Sequence, residues 1–66
     1  MQVQVNGAAQ ELPAGSTVQD LLDTLSRGTG RIAVELNGEI VPRSNFAGQG
    51  LAEGDTIEIV QAIGGG

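Results

Sequence analysis

Five residue types are missing, and the absences remove whole classes of function. The 66 residues include no Cys, no His, no Lys, no Tyr and no Trp. Without Cys there is neither a disulfide nor a thiolate metal site, and a small fold must hold by packing alone. Without His the chain lacks the side chain that titrates nearest neutral pH, and with it the commonest general base. Imidazole, thiol and amine nucleophiles are absent together. Ser and Thr hydroxyls remain with no His or Lys beside them to take a proton. A catalytic pair of carboxylates is the one enzymatic option left, and a chain this short offers little material for the concave pocket it would need.

Positive charge is scarce as well. Three Arg face eight acidic residues, for a formal net charge of −5. Nucleic-acid binding needs clustered Lys or Arg, and attraction to an anionic membrane needs a polybasic segment, so neither is expected. An acidic chain suits a partner with a basic docking face. The opening Met1-Gln2-Val3-Gln4-Val5 has neither the basic nor the apolar region of a signal peptide, and no apolar run approaches the roughly 20 residues of a membrane helix. A cytoplasmic protein is expected.

The pattern of what is present reads as alternating strands around one helix. Met1, Val3 and Val5 alternate with Gln2 and Gln4, the period of a half-buried strand. Asn6-Gly7 then signals a hairpin, because both residues accept positive φ. Ala8 to Leu12 returns as a second strand and stops at Pro13. Ser16 or Thr17 starts a helix, with Thr17 and Asp20 spaced as a capping box. Val18, Leu21, Leu22 and Leu25 form one apolar helical face, and Gly28 and Gly30 supply the stop. Ile32 to Leu36 is a third strand, Asn37-Gly38 a second hairpin turn, and Glu39-Ile40-Val41 a short strand closed by Pro42, which points to a sheet edge. From Arg43 to Leu51 the chain reads as loop, anchored by Phe46 and Leu51. Glu53-Gly54-Asp55 is a turn, and Thr56 to Val60 the last strand. A single helix covering one face of a mixed sheet of four to five strands gives a two-layer α+β domain over residues 1–63. Residues 64–66 are expected to be a flexible glycine tail.

Three features could carry chemistry or recognition. Asp20 and Asp23 stand three apart on the helix, but two carboxylates fall short of the six to eight ligands a cation such as calcium takes, so no metal site is expected. Ala33, Val41, Val60 and Ile63 fall outside the expected core and could gather on the open sheet face as a docking surface. The third feature is Gly64-Gly65-Gly66. Chain ends fray routinely, so an inert end and a working one are both open. Three residues extend about 10 Å and, lacking Cβ atoms, thread a narrow channel. The reactive group at the tip is the Gly66 α-carboxylate, which becomes electrophilic once another enzyme couples it to AMP.

The runs Ala33-Val34-Glu35-Leu36-Asn37-Gly38-Glu39-Ile40-Val41-Pro42-Arg43 and Gly54-Asp55-Thr56-Ile57-Glu58-Ile59-Val60-Gln61-Ala62-Ile63, with the Gly-Gly end, resemble the thiamine-biosynthesis sulfur carrier (ThiS) family. Val5-Asn6-Gly7 and Ala14-Gly15-Ser16-Thr17-Val18 are similar too, so the resemblance covers the chain. It implies a β-grasp, ubiquitin-like fold. It implies that an adenylyltransferase of the ubiquitin-activating type uses ATP to adenylate Gly66. Sulfur from cysteine, delivered by a cysteine desulfurase or other persulfide donor, then makes a thiocarboxylate, from which thiazole synthase takes sulfur. Gly65 is the family's partner glycine, Gly64 the less diagnostic one. No bound cofactor is implied. The small subunit of molybdopterin synthase shares these features. A ubiquitin-like tag or binding module is a further alternative, and so is a structural domain with an inert tail.

Overall fold

In a computed structural model, which describes residues 1–25 and 31–61, the chain forms five strands, one α-helix and a 3₁₀ turn. The elements are β1 (Gln2–Val5), β2 (Ala8–Glu11), α1 (Val18–Thr24), β3 (Ile32–Leu36), β4 (Glu39–Val41), the 3₁₀ turn Arg43–Asn45, and β5 (Thr56–Gln61). One mixed sheet takes the order β2-β1-β5-β3-β4. β1 runs parallel to β5, and the other neighbours are antiparallel. β4, the short strand before Pro42, is an edge strand, because proline cannot donate to a further ladder. The last strand in sequence is the central one in space. The β-grasp architecture expected of the chain is the one observed.

Period two sorts the side chains onto two faces. Val3, Val5, Val34, Ile57 and Ile59 turn inward, and Val18, Leu21 and Leu22 of α1 close over them. Phe46 and Leu51 are both buried in the same cluster, as the sequence suggested for the stretch after Pro42. Part of that stretch departs from the loop expected there, since Arg43–Asn45 coils into the 3₁₀ turn, with Asn45 N–H donating to Pro42 O. Proline at the N-cap fixes φ for the entry to such a turn.

The start of α1 accounts for its otherwise orphaned donors. Thr17 is the N-cap. Its Oγ1 accepts from Asp20 N–H at 3.2 Å, and Asp20 Oδ2 accepts from Thr17 N–H at 2.9 Å. Asp is thus long enough to complete the box. Val18 and Gln19 N–H donate to Gln49 O and Phe46 O, so the loop that buries Phe46 also caps the helix. Thr17→Ala is expected to cost about 1 kcal/mol, read as a fall in Tm of about 4–8 °C for a domain of this size. The glycines expected to end the helix, Gly28 and Gly30, lie outside the described residues, as do Ile63 and Gly64–Gly66.

Both Asn-Gly pairs form left-handed turns, with φ of 51° at Asn6 and at Asn37. Each asparagine also does something the sequence pattern did not indicate. Asn6 Oδ1 accepts from Ile59 N–H at 2.7 Å, and Asn6 Nδ2 donates to Ile59 O at 3.2 Å. Asn37 Oδ1 accepts from Thr56 N–H at 2.9 Å, and its Nδ2 donates to Asp55 at 3.1 Å. The backbone pairing of β1 with β5 stops near Val5↔Ile57. The Asn6 amide continues it for one more residue and satisfies both backbone groups of Ile59. Two turns distant in sequence therefore hold β5 at its first residue and at its fourth.

Candidate functional site: the central strand and the open face

The chain exits its last described strand at the centre of the sheet. Gln61 ends β5, and residues 62–66 follow it. From Val60 to Gly66 is six residues, which places Gly66 at most about 20 Å from the sheet. Whatever receives the last residues must therefore sit close to the end of β5.

The face beside that exit is the one α1 leaves uncovered. β5 presents Thr56, Glu58 and Val60 there, β3 presents Ala33 and Glu35, and β4 presents Ile40. Ile40 and Val60 are 65% and 64% exposed, the two exposed large hydrophobics among the described residues. Apolar side chains gathered on an open sheet face make this a candidate docking surface.

Of the docking residues expected from sequence, the structure brings Ala33 and Val60 together as direct cross-strand partners on this open face. Val41 does not join them. It is only 7% exposed and belongs to the core cluster. The cause is register: Val41 pairs with Val34, which faces α1, so its neighbour Ile40 takes the outward position. The sequence reading missed Ile40, because two consecutive apolar residues in a three-residue strand leave the facing undecided. Pairing with the clear alternation of β3 would have shown it. Ile63 lies outside the described residues.

Elsewhere among the described residues, the carboxylates of α1 and the Ser16 hydroxyl are engaged in local hydrogen bonds. A hollow lined by Pro13, Ser16, Asp20 and Asp23 contains the two helix carboxylates. Asp20 is occupied by the cap, and Asp23 accepts from Gln19 Nε2 at 3.0 Å. Ser16, buried, donates its hydroxyl to Pro13 O at 2.7 Å. Among the described residues, no three acidic groups cluster as metal ligands, and no helix is long and apolar enough to cross a membrane.

The model of the ThiS family matches residues 3–66, from β1 through the terminal glycines. The chain belongs to the ThiS family. It is 38% identical to the sulfur carrier protein ThiS of Escherichia coli K12, over the whole length of both. The crystal structure of the thiamine biosynthesis protein ThiS from Geobacter metallireducens superposes with a TM-score of 0.84 at 32% identity, covering all of both chains. A thiazole synthase of Paramagnetospirillum magneticum is 42% identical across this entire chain, which spans only 20% of that protein. A ThiS-like unit is thus built into a much longer thiazole synthase chain.

Proposed function

We propose that this sulfur carrier of thiamine biosynthesis holds its cargo on the Gly66 carboxyl carbon. The observation that supports this most directly is the family match running through the final glycines, on a chain with no His, Cys or Lys to perform chemistry itself. The protein is then a co-substrate and not an enzyme. A partner adenylyltransferase couples Gly66 to AMP from ATP, which converts a poor electrophile into an acyl-adenylate with a good leaving group. The terminal sulfur of a persulfide donor, drawn from cysteine, attacks the adenylate and displaces AMP, and a second thiol then cleaves the S–S bond, leaving a disulfide on the partner and a thiocarboxylate on Gly66. Thiazole synthase accepts that sulfur, a partnership supported by the carrier-like unit within a thiazole synthase chain. Gly64 and Gly65 present no Cβ and let the tail enter a narrow partner channel. Ala33, Ile40 and Val60 seat the partner beside the end of β5. ATP and cysteine-derived sulfur act in the partners, with no cofactor resident on the carrier, and the cytoplasm is the compartment in which these partners meet it.

The direct test is intact mass. The protein incubated with ATP, Mg²⁺, the adenylyltransferase and a sulfur donor is expected to gain about 16 Da as oxygen is replaced by sulfur at one position. Fragmentation should place the gain on Gly66. No AMP adduct and no thiocarboxylate with a partner shown to be active on another carrier would sink the reading. Transfer of the Gly66-bound sulfur into molybdopterin in place of thiazole would move the protein to the other branch of carriers.

A further inference from the structure

On the open face, Glu35 and Glu58 are direct partners in the β3–β5 register, and both are exposed. Directly opposed residues on one face hold their Cβ atoms about 4.5–5.5 Å apart, and like charges placed so repel each other. Among the described residues the ion pair formed is that of the Met1 amino group with Glu11, on the far side of the sheet. Neither Glu35 nor Glu58 is matched by a cation there. The register therefore sets two like charges side by side on the open face, a placement less favourable than an apolar or oppositely charged pair.

The surroundings define what would relieve it. Ile40 stands opposite Glu35 on β4, completing the row Ile40–Glu35–Glu58. Ala33 and Val60 form the next row, about 7 Å along the strands. A partner covering Ile40 and Val60 also covers the carboxylates, and a buried pair of like charges without a counter-charge is costly. A second copy of this chain would add two more carboxylates. A divalent cation would find two side chains where calcium takes six to eight ligands. An arginine meets every requirement. Its planar fork has five donors to span two carboxylates, it is weakly hydrated, and it is enriched where interfaces are most buried.

We propose that the Glu35–Glu58 pair is the seat for an arginine of thiazole synthase, held between Ile40 and Val60, and that it selects which thiazole synthase this carrier serves. The proposal rests on the docking reading above. It takes thiazole synthase as the occupant because a unit like this chain is covalently part of one. The seat keeps its charge repulsion in the free carrier and loses it on docking, which gives function a measurable cost in stability.

Titration calorimetry of the full chain against the thiazole synthase of the same organism tests this. Glu35→Gln and Glu58→Gln are each expected to weaken binding by about tenfold or more, as loss of one partner from a buried charge contact does. Asp23→Asn, which removes one charge from exposed α1 surface, should stay within about twofold. Both glutamine variants should keep the wild-type Tm or exceed it by about 1–3 °C, since they remove a repulsion. That rise separates the seat from a merely structural role, which would lower Tm. Glutamine variants that bind as wild type overturn the proposal, as do variants with depressed Tm, or wild-type binding abolished by EDTA. A wild-type chain that fails to bind at all overturns the partnership itself, which is a distinguishable result.

Discussion

Removing Gly66 is expected to abolish sulfur loading while leaving the unfolding transition unchanged. The shortened chain still ends in a glycine carboxylate, so the chemistry of the end group is unchanged and only its position moves. One residue of extended chain is about 3.3–3.6 Å. An adenylating enzyme must bring the carboxylate to the phosphate within attack distance, and a misplacement of about 1 Å can cost about 10²-fold. The end of β5 is tied into the sheet, so the missing length cannot be recovered by sliding the strand. A slip of one residue would turn Ile57 and Ile59 out of the core. The expected readout is no 16 Da gain, a rate at least about a hundredfold below wild type. The unfolding transition should be unchanged, because every described residue of the core cluster lies at or before Ile59. A deletion variant that loads sulfur at the wild-type rate would remove Gly66 from the chemistry. Gly66→Ala separates length from bulk: it restores the reach and adds one Cβ, so a rate between those of the deletion and the wild type is expected.

Asn6→Ala is the substitution expected to damage the fold most for its size. Two effects add. The left-handed backbone at φ 51° disfavours a residue with a Cβ and no local polar contact by about 1–2 kcal/mol. The lost amide also strands the N–H and C=O of Ile59, which are part-buried and paired to it at 2.7 and 3.2 Å. Each orphaned group costs about 1 kcal/mol or more. The sum, about 3–4 kcal/mol or more, rivals the roughly 3–5 kcal/mol available to a core of this size. In urea denaturation the variant should be largely unfolded or have a midpoint shifted far to the left. Asn6→Gly recovers the backbone part and not the hydrogen bonds, so it should fall about midway. Asn37→Ala shares the same φ but makes exposed hydrogen bonds, and its loss should be the smaller. Equal effects at the two positions would mean that the turn, not the clamp on Ile59, sets the cost.

These two residues also show where local pattern stops. Asn6-Gly7 is legible as a turn because turn chemistry depends on neighbouring residues alone. Its second role depends on Ile59, 53 residues away, and no local period encodes that. The same holds for Glu35 and Glu58. Each reads as an ordinary outward residue of its own strand, and only the register between β3 and β5 sets them face to face. Val41 was misplaced for a related reason, since a three-residue strand carries too little alternation to fix which side is inward.

The sequence by itself determined the chemistry left to this protein and the elements that present it. Missing His, Cys and Lys turned attention from catalysis to the terminal glycines. Short-range periods placed the strands, the helix with its Thr17–Asp20 box, and the anchors Phe46 and Leu51. The tertiary structure alone decided that the last strand is the central one, beside an open face with Ile40, not Val41, at its edge. It also decided that two glutamates oppose each other there. Strand order and register arise from which side chains can pack together under α1, a property of the whole core that no single segment contains.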